Sequence, residues 1–204
     1  MKKILYTQRV LQKNDYRERW DCADQNIAKL ISSCDYLPIA VNNHPDDILK
    51  ICSEIKPDGL VLTGGNSLVK YGGDAPERDE TEKRLIDYFL SKSKPIYGFC
   101  RGMQVLQDYF GVNLYEVKGH ISVKHFITGS LGELEVNSYH SLGAFDTSQE
   151  MNLLAKSPDN VVEAISFKYY PIIGTMWHPE REMPFSKHDI KRIKTLFDKG
   201  KVQI

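Results

Sequence analysis

Long hydrophobic runs are missing from this sequence of 204 residues. Nothing in it approaches the roughly 20 consecutive apolar residues that a membrane-spanning helix needs, so no membrane association is expected. The opening MKK imitates the basic start of a secretory leader, but the apolar ILY that follows is broken at once by Thr7, Gln8 and Arg9. An excess of either charge is missing too. With 27 Lys+Arg against 27 Asp+Glu, the surface has no net field to hold a nucleic acid, and an anionic ligand would need a local pocket. Cysteine is scarce and scattered: Cys22, Cys34, Cys52 and Cys100 show neither the close pairing of a zinc site nor a disulfide framework. A reduced, cytoplasmic setting is the expectation.

What is present is an alternation of short β-favouring apolar runs with longer stretches of helical period, the pattern of a sheet covered by helices on both faces. The length suits one domain over residues 1–204. Strands are expected over residues 3–8, 37–41, 59–62 and 95–99. Helices are expected over 17–33, where Trp20, Ile27, Leu30 and Ile31 share a face, over 46–55 and over 77–92. A further helix should run from Gly102 to about Phe110, closed by Gly111 as a left-handed cap. The second half reads as more antiparallel, with strands near 121–127, 133–137, 160–168 and 171–176, followed by a basic helix over 187–199. The fold class is therefore α/β, with a mostly parallel central sheet and a smaller antiparallel portion.

Gly98-Phe99-Cys100-Arg101-Gly102 places a cysteine between two glycines where a strand should turn into a helix. This is the thiol counterpart of a serine nucleophile elbow, a tight turn that lifts the nucleophile above the sheet. The helix amino terminus also favours a thiolate. Cys22, Cys34 and Cys52 sit at no such junction and read as packing residues. A base for the thiol is offered by Trp177-His178-Pro179-Glu180, directly after an apolar strand. In an extended segment Glu180 points the same way as His178, so its carboxylate can fix the imidazole tautomer. Leu62-Thr63-Gly64-Gly65-Asn66 supplies unobstructed backbone N–H groups; Gly64 or Gly65, with Arg101, is the expected oxyanion hole. His120 and His125, five apart in a strand-like segment, should fall on opposite faces, which is poor for a shared metal. No metal is expected.

These three segments together resemble the class I glutamine amidotransferase superfamily, whose fold is flavodoxin-like. Arg101 after the cysteine, the stretch from Arg78-Asp79 to Glu82, and Val136-Asn137-Ser138-Tyr139-His140 resemble its γ-glutamyl hydrolase branch more closely. The resemblance implies Cys100 as nucleophile, His178 as base and acid, Glu180 as the orienting carboxylate, and glutamyl recognition by Gln104, Asn137, Ser138, Tyr139 and His140. It implies a γ-glutamyl thioester, water as acceptor and no cofactor. Thr7-Gln8-Arg9 and Tyr16-Arg17-Glu18-Arg19-Trp20 are similar to bacterial hydrolases of capsule phosphoramidate synthesis, whose substrate class is γ-glutamyl-CDP-amidate. Arg17, Arg19, Lys70, Arg78 and Lys124 are candidate cations for a diphosphate. Two alternatives stay open within the superfamily: a glutaminase subunit that delivers ammonia to a separate synthetase, and a hydrolase of γ-glutamyl amines. The expected partner is a small γ-glutamyl substrate, with a homo-oligomer or a pathway enzyme as further partners and no nucleic acid.

Overall fold

The computed structural model describes residues 1–13 and 17–200; Tyr16 lies outside the described residues. Consecutive residues of the central strands enter different apolar clusters, which is why those strands read as unbroken apolar runs. Leu5 of β1 (Lys3–Tyr6) faces one cluster and Ile4 the other. The same division separates Leu60 and Leu62 from Val61 in the next central strand, and Ile96 from Tyr97 and Phe99 in the one after.

Along the chain, β1 is followed by β2 (Arg9–Lys13), β3 (Glu18–Cys22), helix α1 (Gln25–Ser33), β4 (Leu37–Ala40), α2 (Pro45–Ile55) and β5 (Gly59–Leu62). Then come α3 (Pro76–Ser91), β6 (Ile96–Phe99), α4 (Arg101–Tyr109), β7 (Tyr115–Glu116), β8 (Ile121–Gly129), β9 (Leu134–Tyr139) and β10 (Leu142–Gly143). The chain continues through β11 (Met151–Lys156), β12 (Val162–Phe167), β13 (Ile172–Thr175) and α5 (Lys187–Lys199). Among the described residues, nine strands form the main sheet in the order β4-β1-β5-β6-β13-β12-β11-β8-β9. The run β4 to β13 is parallel, and β12, β11, β8 and β9 continue antiparallel. The strand over 171–176, grouped above with the antiparallel half, thus pairs parallel with β6 on one side and antiparallel with β12 on the other. Buried residues of α2, α3 and α4 fill the first cluster, and those of α1 and α5 the second.

The helix expected over 17–33 begins only at Gln25. Residues 18–22 instead form a hairpin with β2, pairing Lys13 with Glu18 through to Arg9 with Cys22. Trp20 happens to fit the helical period of Ile27, Leu30 and Ile31, but it stands in solvent at 47% exposure. Its indole donates to Glu18 and lies under the Lys13 ammonium. The helix start is marked by Asp24, whose carboxylate accepts from the Asn26 N–H at 2.8 Å. Cys34 and Cys52 are core residues, and burial pushes both thiols up to about 11. No described helix is long and apolar enough to cross a membrane.

Candidate active site

Four parallel strands deliver the site from their carboxyl ends, where open α/β sheets place ligands. Arg9 follows β1, Gly64 and Gly65 follow β5, Cys100 follows β6, and His178 follows β13. Cys100 adopts φ 50° and ψ −113°, a conformation non-glycine residues avoid, and so stores strain at the turn. The flanking glycines are required by close approach. A Cβ on Gly102 would lie 2.0 Å from the Leu62 carbonyl oxygen, and one on Gly98 would lie 2.7 Å from the Gly102 backbone. The N–H groups of the first turn of α4, beginning with Arg101, have no partner within the helix and face the end where Cys100 sits.

His178 is held on every side. Its Nδ1 is 2.6 Å from Glu180 Oε1, and the Asn137 side chain both accepts from the His178 N–H and donates to its carbonyl, each at 2.9 Å. The rings of Phe99 and Tyr139 meet the imidazole edge-on at 5.6 Å. Nε2 is buried without a hydrogen-bond partner among the described residues, and a Cβ on Gly64 would touch the His178 Cε1 at 2.8 Å and lie 3.6 Å from the Cys100 Cβ. Cys100, His178 and Gly64 therefore occupy one small volume. Burial works to lower the His178 pKa, but Cys100 and Glu180 outweigh it and push the imidazole from 6.5 up to about 9. The imidazolium is the neutral-pH form. Its stabilisation of the fold is complete below 6.5 and is lost as pH rises through about 9.

The cavity above the thiol has a volume of about 280 Å³, and Gly65, Arg101, Gln104, Tyr139 and His140 line it. Gln104 commits its amide Nε2 to the Leu142 carbonyl at 2.9 Å. Asn137 and Ser138 do not line this cavity: the first grips the His178 backbone, and the second donates to the His120 carbonyl at 2.7 Å. The Thr63 hydroxyl donates to the Thr7 carbonyl at 2.9 Å, tying the ends of β1 and β5 together.

The candidate diphosphate cations are placed elsewhere. Arg78 is fully buried; it pairs with Glu82 and donates to the carbonyls of Thr63 and Gly64 at 2.9 and 3.0 Å, bracing the glycine loop from behind. Arg101 turns its guanidinium onto Glu82 and Asp79. Arg19 pairs with Glu77, Lys70 with Asp108, and Lys124 lies 3.8 Å from Glu182. The cations that do reach the cavity, besides buried Arg101, are Arg9 and Arg181, the latter 4.0 Å over the Tyr139 ring. Neither was among the candidate cations read from the sequence, although Arg9 lies three residues past the end of β1 and Arg181 adjoins the His-Pro-Glu motif.

A second departure concerns His120 and His125, which share one side of the sheet, ring centroids 4.9 Å apart. Ser122 takes φ 59° at a register shift between Ile121 and Val123, and this bulge reverses the strand's side-chain parity. Together with Glu163 these histidines could hold a metal ion.

The chain belongs to the class I glutamine amidotransferase family, which matches residues 20–196. It is 30% identical over 181 residues, 86% of this chain and 88% of the relative, to the γ-glutamyl-CDP-amidate hydrolase of Campylobacter jejuni subsp. jejuni serotype O:2. To the γ-glutamyl-γ-aminobutyrate hydrolase of Escherichia coli O157:H7 it is 32% identical over 164 residues, covering 61% of this chain and 65% of that one. The fold superimposes on a glutamine amidotransferase from Thermotoga maritima with a TM-score of 0.66 at 18% identity, over 99% of this chain and 86% of that one.

Proposed function

We propose that this protein hydrolyses a γ-glutamyl amide through a cysteine thioester, with γ-glutamyl-CDP-amidate as substrate. The observation that carries the reading is the strained Cys100 beside a buried imidazole whose far nitrogen is anchored on Glu180. The thiolate attacks the γ-carbonyl, and the oxyanion is held by the N–H of Gly65 or Gly64 together with that of Arg101. His178 Nε2 gives its proton to the departing nitrogen as the C–N bond breaks, leaving a γ-glutamyl thioester. The neutral imidazole then takes a proton from water as it attacks, the C–S bond breaks, and glutamate leaves. The other product is cytidine diphosphoramidate.

Arg9 and Arg181 at the cavity support a substrate with a diphosphate on its leaving group, as does similarity over most of both chains to a hydrolase of that substrate. Glutamate release from γ-glutamyl-CDP-amidate, glutamine and γ-glutamyl amines, each measured on the isolated chain, tests the reading. A strong preference for glutamine that appears only with a synthetase present would replace it with the glutaminase alternative.

Two variants sharpen it. Arg181→Ala is expected to raise KM for the nucleotide substrate by about 10–100-fold, the loss of one charged hydrogen bond, and to leave KM for glutamine nearly unchanged. Equal rises would put Arg181 on the glutamyl half instead. Because the reaction needs the imidazolium as acid, kcat/KM should fall as pH rises through about 9. Glu180→Gln removes one of the two groups that raise the His178 pKa, so this alkaline limb should move to lower pH; an unmoved limb would mean that another group titrates.

A further inference from the structure

We propose that His120, His125 and Glu163 form a zinc site, separate from the Cys100 pocket, that holds the antiparallel part of the sheet together. Glu163 is fully buried in β12, and its Oε1 lies 3.4 Å from His120 Nδ1, 3.5 Å from His125 Nε2 and 3.4 Å from His140 Nε2. None of these atoms, nor Glu163 Oε2, makes a hydrogen bond among the described residues. Five buried polar atoms pointed at one another without bonding would cost heavily in an ion-free cluster. A cluster held by protonated histidines would close to about 2.7–2.9 Å. The ligand atoms of His120, His125 and Glu163 all lie within 4.8 Å of one another, so modest side-chain shifts bring them to roughly 2.0–2.1 Å from one Zn²⁺. Two imidazoles and one carboxylate, with water in the fourth position, are a ligand set that zinc accepts, and His140 packs beside them against Glu163.

The outward nitrogen of His120 is arranged to suit. His120 Nε2 is 3.0 Å from Asp159 Oδ2. A ring proton on that outward nitrogen leaves the inward nitrogen a lone pair, the usual outer support of a metal-bound histidine. Two backbone irregularities aim the ligands. The bulge at Ser122 brings His120 and His125 to one side, and in β12 the register skips from Val162 to Ala164, leaving Glu163 unpaired with β11. Pairing between β11 and β8 covers only Ala155 with Gly129 and Lys156 with Thr128. A metal on Glu163 and His125 would join β12 to β8 across the stretch that this short pairing leaves open. None of the three ligands lines the cavity above Cys100, so the ion's role is structural.

The test is zinc content of the full chain by plasma mass spectrometry, after exposure to Zn²⁺ and desalting. It is done on Cys100→Ala, so that the pocket thiolate cannot hold the metal. About one zinc per chain is expected, falling at least about tenfold when Glu163→Gln is added. His125→Ala, at the least buried of the three positions, provides the same comparison if Glu163→Gln does not fold. Co²⁺ in place of zinc should give the intense visible bands of a four-coordinate ion, and a chelator should lower Tm. Less than about a tenth of an equivalent of zinc in Cys100→Ala, or zinc undiminished in the added variants, overturns the site. Neither result bears on glutamate release by Cys100, which fails or succeeds separately.

Discussion

Cys100→Ala is expected to reduce glutamate release by at least about 10⁴-fold in kcat while leaving the circular dichroism spectrum and Tm close to those of the parent. The size follows from covalent catalysis. Without the thiol there is no acyl intermediate, and what remains is binding together with the oxyanion donors and the imidazole acting on water. The fold should tolerate the change because alanine keeps the Cβ that the elbow already accommodates. The parent, mixed with substrate and quenched in acid, should carry a mass increment of one glutamyl group on Cys100, and Cys100→Ala should carry none. Retention of even a hundredth of the parent kcat would show that the reaction does not pass through this thiol.

Glu82→Ala should be among the most destabilising single changes in the chain, by about 3–5 kcal/mol, because it removes the carboxylate shared by two buried guanidinium groups. Glu82 and Arg78 are fully buried and Arg101 nearly so, so the two like charges would face each other without water between them. Burial acts to raise the Glu82 carboxyl, but Arg101 and Arg78 outweigh it and hold the group below its ordinary range. A folded-state pKa below the unfolded one means that this stability is present above the ordinary carboxylate range and is lost as the pH falls through the lowered value. Urea denaturation across pH measures both effects. The change should also reduce activity, since Arg78 carries the glycine loop and Arg101 lies next to the thiol in sequence. A variant of unchanged stability would mean that the guanidinium groups find other partners, and the bracing role would be withdrawn.

Local chemistry was what made the elbow readable in the sequence: glycines on both sides of Cys100 have one economical explanation, and the backbone contacts at Gly98 and Gly102 supply it. The central strands were readable because both faces are buried. Trp20 was misleading because one residue in phase with three others is indistinguishable from a helix face until its hairpin partner is known. The parity argument for His120 and His125 failed at Ser122, a single positive φ that no residue type announces. Arg78 shows the remaining difficulty. Its charge suggested a ligand, and only tertiary burial shows that it serves Glu82 and the loop. Asn137, assigned to substrate by resemblance, grips the backbone of a residue 41 positions away, a contact that no local pattern contains.

The dihedral angles of Cys100 also limit how this scaffold can evolve. At φ 50° and ψ −113° a side chain branched at Cβ meets its own backbone, so threonine is closed as a replacement nucleophile whatever base stands beside it. Serine fits the same space without a new clash, but its hydroxyl is a far weaker acid than a thiol. An imidazolium that favours a thiolate neighbour would have to become a neutral base before an alkoxide could form. A lineage that exchanged sulfur for oxygen here would therefore have to retune His178 and Glu180 together with the substitution, and intermediates along that route would be inactive.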